Sequence, residues 1–166
     1  MTDSGTGGRR TAPRLGRAIA GGALLVGVLD FCAALAIGAS TGASPRRVAQ
    51  SIASGLLGRA AYEGGWPTAA LGLALHFTIA TGVATVFVLA SRWWPGLRRR
   101  PWLWGPAYGI LVFLVMYRVV LPLAGLDAWP RQWPGFVRAV AAHVFAVGLP
   151  VAWWTRRATS SAPAPR

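Results

Sequence analysis

Apolar positions in this chain do not alternate with polar ones. They run on, in four blocks covering residues 15–39, 66–90, 102–123 and 134–154. Each block is 20–25 residues long, enough for a helix rising about 1.5 Å per residue to cross roughly 30 Å of hydrocarbon. Helix is the required form, because an isolated strand leaves its backbone polar groups unpaired in lipid. The pattern therefore predicts an all-α polytopic membrane protein, with four transmembrane helices in an up-down bundle occupying residues 14–157.

Between the first two blocks the pattern changes. Ser44 can cap a helix and Pro45 suits its first turn. Val48, Ile52 and Leu56 then recur every four residues, opposite Arg47, Gln50, Ser51 and Ser54. Segment 45–62 reads as a short amphipathic helix on the outer face, lying in the interface. Gly55, Gly58, Gly64 and Gly65 leave open a re-entrant path. The tails 1–13 and 158–166, rich in Gly, Ser, Thr, Ala and Pro, read as disordered.

The aromatic and basic residues fix the block ends. Trp66, Trp129 and Trp133 fall on one side, and Trp93, Trp94, Trp102, Trp104, Trp153 and Trp154 on the other. Indoles favour the headgroup region, where the ring is half-buried and its N–H finds a partner. Of the 17 basic residues, all Arg, the tails and the loop between the second and third blocks hold Arg9, Arg10, Arg14, Arg17, Arg92, Arg98, Arg99, Arg100, Arg156, Arg157 and Arg166. The other side has Arg46, Arg47, Arg59 and Arg131, with Arg138 just inside the fourth block. The positive-inside bias places both termini in the cytoplasm. The Arg9–Arg10 pair lacks the apolar sequel of a twin-arginine signal, and a first block this long, carrying Asp30, argues against a cleaved signal peptide.

The net charge of +13 would suggest nucleic acid if the arginines shared one folded face. Here they punctuate apolar blocks, so no nucleic-acid partner is expected. The use of Arg without Lys, with no Asn, has the look of a GC-rich bacterial genome. Cys32 is the single cysteine; it lies within the first block and reads as a small core residue, with no CxxC spacing for metal.

Asp30, His76, Arg118 and His143 are ionisable side chains inside the blocks. Such residues are expensive in hydrocarbon and usually face the bundle interior. Counting at about 1.5 Å per residue from the outer ends puts Asp30 and His143 at roughly 13 Å and His76 at roughly 15 Å, with Arg118 shallower at roughly 7 Å. Small residues one turn away flank the first three: Gly27, Ala33 and Ala34; Gly72 and Ala80; Ala139 and Ala146. Faces of this kind are helix–helix contacts, so these three are expected to meet, with Asp30 accepting from an imidazole. Arg118 has bulky neighbours and is open to snorkelling outward or pairing inside. Pro122 and Pro150 remove the donors that would serve the carbonyls of Arg118 and Ala146. The cluster has several readings: inter-helix hydrogen-bonding glue, a proton or ion path, an Asp/His metal site, or bis-histidine haem. Gly105 and Gly109 form a GxxxG, a dimerisation face or an intramolecular contact. Glu63, at the outer rim, reads as a solvated loop charge. No P-loop, nucleophile-elbow or EF-hand pattern is present in the sequence.

From His76 to Arg157, about half the chain, the sequence resembles the YagU-like group of small bacterial inner-membrane proteins. The features are the His76–Phe77 pair, the Pro-plus-basic loop from Pro95 to Pro101, Gly105 with Gly109, and the Pro-Leu-x-Gly-Leu stretch from Pro122 to Leu126. His143 and the closing Arg156–Arg157 pair complete them. Arg118 stands where that group has a histidine. The resemblance implies four spans and an inner-membrane location, and no catalytic residue, substrate or cofactor.

The sequence thus points to a multi-pass protein of the bacterial inner membrane. It is expected to be non-enzymatic, with no cofactor, serving as a scaffold or as the subunit of a membrane complex or homo-oligomer. The alternatives are a small transporter or proton-conducting unit built on Asp30, His76 and His143, and a haem or metal carrier.

Overall fold

The computed structural model describes residues 7–160 of the chain. The elements are α1 (Gly7–Ser40), α2 (Pro45–Leu57), a 3-10 turn (Gly58–Tyr62), α3 (Gly65–Trp93), α4 (Gly96–Arg99), α5 (Pro101–Val115), α6 (Leu121–Leu123), α7 (Trp133–Ala142) and α8 (Leu149–Ser160). A π-helical turn at Met116–Val120 joins α5 to α6, and another at His143–Gly148 joins α7 to α8. Four helical stretches are long and apolar enough to cross a membrane: Leu15–Ser40, Gly65–Trp93, Pro101–Leu123 and Trp133–Thr159. The protein is an all-α four-span bundle. Residues 7–13 and 158–160, expected to lie in irregular tails, continue α1 and α8; the rest of the expected tails lies outside the described residues.

The surface confirms which solvent the bundle meets. Leu24, Val86, Leu111 and Phe145 are 53–67% exposed around its waist, which an aqueous protein does not tolerate as a continuous belt. Trp66, Trp93, Trp102 and Trp133 stand exposed near the span ends. The interior is a dry core of Ala23, Val26, Ala80, Ala84, Phe87, Val112, Val147 and Val151. It lies towards the face that carries the chain ends, here the tail face.

The first span packs against the second and the fourth, and the fourth against the third. Close approach of the third and fourth spans depends on glycine. A Cβ on Gly109 would sit 2.5 Å from the His143 carbonyl oxygen and 2.8 Å from the Val144 Cα. Gly105 and Gly148 face each other in the same seam. The GxxxG is therefore an intramolecular contact. The second and third spans barely touch. Their link is near the tail face, where the Tyr108 hydroxyl donates to the Val83 carbonyl at 2.7 Å and its ring lies 4.9 Å from that of Phe87.

Pro122 and Pro150 sit just beyond altered helical turns. Each is preceded by a π-helical turn: Leu121 N–H reaches back five residues to Met116, and Leu149 N–H to Val144. Widening the helix by one residue re-satisfies groups that the proline ring would orphan.

The segment between the first two spans differs from its expected orientation. Ser44 accepts from Arg47 N–H and Pro45 opens α2 as read, and Gly58, at φ +58°, ends it. But the buried face of α2 is Val48, Ala49, Gln50, Ala53 and Ser54, while Leu56 is 66% exposed. The small residues Ala49 and Ala53 let α2 lie directly on Gly72, whose missing side chain is filled by the Ala49 carbonyl. Gln50, expected to be solvated, is buried and donates to the Gly65 carbonyl at 3.0 Å and to Thr68 Oγ1 at 3.1 Å. A satisfied amide and two alanines pack more closely than Ile and Leu would, so the bulkier residues turn away. α2 runs from Gly38, where Val48 packs, across Gly72, to Ala124 beside Gly55. It forms a roof over the bundle end away from the tails, here the roof face.

Candidate functional site

Under that roof lies a cavity of about 730 Å³. Span one supplies Val26, Asp30 and Ala34, and span two Leu75, His76 and Ile79. Met116, Tyr117 and Val120 come from span three, and Arg138, Ala142 and His143 from span four. α2 and the 3-10 turn add Ser51, Ile52, Leu56 and Tyr62. The walls are mostly aliphatic. The cavity exists because the second and third spans approach at Val83, Phe87 and Tyr108 and have few contacts elsewhere.

Asp30 is ten residues from Ser40, His76 eleven from Gly65 and His143 ten from Trp133. At about 1.5 Å per residue, all three sit roughly 15–16 Å in from the roof-face ends of their spans. Three spans thus deliver three ionisable groups to one depth and one cavity.

The hydrogen bonds differ from those expected. His76 Nε2 donates to the Gly27 carbonyl at 2.9 Å, tying the second span to the first. His143 Nδ1 donates to the Ala139 carbonyl of its own helix at 2.8 Å. A carbonyl only accepts, so these contacts assign the proton to Nε2 of His76 and to Nδ1 of His143. The direct imidazole–carboxylate contact is not made. Both rings are spent on backbone carbonyls, because close helix packing presents those first. Asp30, half-buried, has no hydrogen-bond or ion-pair partner among the described residues. Tyr117 of the third span lines the same cavity. An unpaired carboxylate at that depth costs about 2.5–3.5 kcal/mol on insertion scales.

Aromatic rings back both imidazoles. Phe31 and Phe77 lie 5.4 and 5.6 Å from His76. Phe113 and Tyr117 lie 5.6 and 6.0 Å from His143, in a cluster that includes Trp129 and Phe136. Arg118 is separate from this site. It is exposed, does not line the cavity, and holds its guanidinium 3.9 Å over the Trp129 ring. Being near a span end with bulky neighbours, it gains more from the interface and an indole face than from the interior. Among the described residues no group of three His, Cys, Asp or Glu is arranged to hold a metal ion, so the metal reading lacks a ligand set. Cys32 is exposed on the lipid side rather than in the core.

Tyr117, Arg138, Asp127 and Tyr62 also line the cavity; none was singled out from the sequence. A signal for Tyr117 was present. Gly109, Phe113 and Tyr117 form an i, i+4, i+8 stripe, and Gly109 marks that face as inward.

No family model matches the chain, and neither a curated protein nor a solved structure resembles it significantly.

Proposed function

We propose that this is a non-enzymatic protein of a bacterial inner membrane, with both tails in the cytoplasm, that holds a small molecule inside the bilayer. The observation that carries this reading is the one-sided cavity. It extends from the α2 roof to Asp30, His76 and His143 and ends on an apolar core of Ala84, Phe87, Val112, Val147 and Val151. A scaffold has no need of a cavity this size, which falls in the 300–1,000 Å³ range of small-molecule sites. A proton or ion path needs a chain of polar groups or water through the layer, and the core next to the cavity is built of Ala84, Phe87, Val112, Val147 and Val151. The tail-face excess of arginine supports the cytoplasmic placement of the ends. The resemblance to the YagU-like group supports the location.

The test has two parts, run on the purified full chain. Native mass spectrometry of protein released from its own membranes should show a bound small molecule, lost when the cavity is filled by Ala142→Trp. In liposomes loaded with a pH-sensitive dye, the protein should add no proton flux over empty vesicles. A clean spectrum together with protein-dependent flux would overturn the reading in favour of conduction.

A further inference from the structure

We infer that the molecule held is a lipophilic cation, with Asp30 as its counter-ion, admitted from the lipid between the second and third spans. The inference rests on the cavity-binding reading and names the ligand class. It starts from the one charge in the layer that has no partner. His76 and His143 have each committed a ring nitrogen to a carbonyl, whereas Asp30 accepts from no described residue and faces the cavity. Charged groups this deep in a membrane are paired with one another or with what they bind. The other charges at the cavity, Asp127 and Arg138, lie nearer the roof-face span ends. Arg118, which the sequence left open to pairing inside the bundle, is turned away onto Trp129.

The rest of the lining suits the same ligand. Tyr117 adds an aromatic ring to the wall, and ring faces attract cations. Val26, Ala34, Leu75, Ile79, Met116 and Val120 offer a wide aliphatic wall for an apolar body. A small hydrated ion would leave that wall unused, and an anion at this depth would meet Asp30, the Arg138 guanidinium standing nearer the roof-face end of its span. The route follows from the same packing. Above Val83–Tyr108 the rows Leu75–Ile79 and Met116–Val120 flank the cavity with no span between them. A molecule already dissolved in lipid reaches Asp30 through that slot without crossing water.

The test uses three probes of similar size: tetraphenylphosphonium, tetraphenylborate and neutral triphenylphosphine oxide. Each is measured by equilibrium dialysis against the full chain in detergent, with empty micelles as background. The cation should bind saturably and at least about tenfold more tightly than either other probe, a difference of roughly 1.4 kcal/mol. Asp30→Asn should remove that preference and Asp30→Glu should retain it. The charge-conserving variant controls for folding, as does an unchanged melting temperature. Equal binding of all three probes, unaffected by Asp30→Asn, would overturn the cation assignment while leaving the cavity in place. Tighter binding of the borate would do the same. If no probe binds and the wild type also releases no native ligand, the cavity reading itself falls.

Discussion

Gly109→Ala is a one-carbon change whose cost the structure fixes. The added methyl would lie 2.5 Å from the His143 oxygen and 2.8 Å from the Val144 Cα, both backbone atoms that no rotamer change can move. Ordinary carbon contacts are about 3.5–4.0 Å, so the third and fourth spans must part by roughly 1 Å along the seam that also holds Gly105 and Gly148. Overpacking of this kind costs about 1–3 kcal/mol. Thermal unfolding in detergent, followed by tryptophan fluorescence, should show a drop of about 2–10 °C. Gly82 is the matched control: it also lies mid-span, but a Cβ there meets nothing within 4 Å. Gly82→Ala should be neutral or gain up to about 1 kcal/mol from the reduced backbone freedom of alanine. If both variants melt together, the glycine seam does not hold the third span to the fourth, and the wall carrying His143 is misplaced.

Three further outcomes follow. His76→Ala removes the one side-chain hydrogen bond between the first two spans at the layer and should cost about 0.6–1.7 kcal/mol plus a cavity term, read as the same thermal shift. Gln50→Ala loses two bonds in a buried position and should cost about 1–3 kcal/mol, with faster amide exchange confined to α2 and the 3-10 turn. Arg118→Gln should alter Trp129 emission and cost no more than about 1 kcal/mol, with tetraphenylphosphonium binding unchanged; weakened binding would place Arg118 in the site after all.

The spans were legible because bilayer thickness imposes a length, and length is visible in a sequence. Expected ends agree with Leu15–Ser40, Gly65–Trp93, Pro101–Leu123 and Trp133–Thr159 to within one residue, except that the second and fourth spans run on past 90 and 154 to Trp93 and Thr159. The shared depth of Asp30, His76 and His143 was legible for the same reason, since rise per residue is constant. The rotation of α2 was not. Period-four spacing of Val48, Ile52 and Leu56 marked an apolar face, but close packing on Gly72 selected the alanine face, and Gln50 found partners fifteen and eighteen residues away. Partner choice at the layer was equally hidden. Counting along helices gives height and not rotation, so it could not show that His76 would reach the Gly27 carbonyl before Asp30. The prolines could be read as sites of lost donors, yet their π-helical repair depends on the packing of the seam.

Ligand binding by this protein depends on a cavity that lies under the α2 roof and ends at the layer of Asp30. In a Cys32→Ala background, Ala142→Cys places a thiol beside His143 on the cavity wall, and Leu24→Cys places one deep in the first span on the lipid side. Methanethiosulfonate ethyltrimethylammonium, permanently charged and applied to sealed vesicles of known orientation, should modify the thiol at 142 from the roof face alone and leave that at 24 unmodified from either face. Modification at 142 from the tail face, or equal inertness of both thiols, would contradict the account.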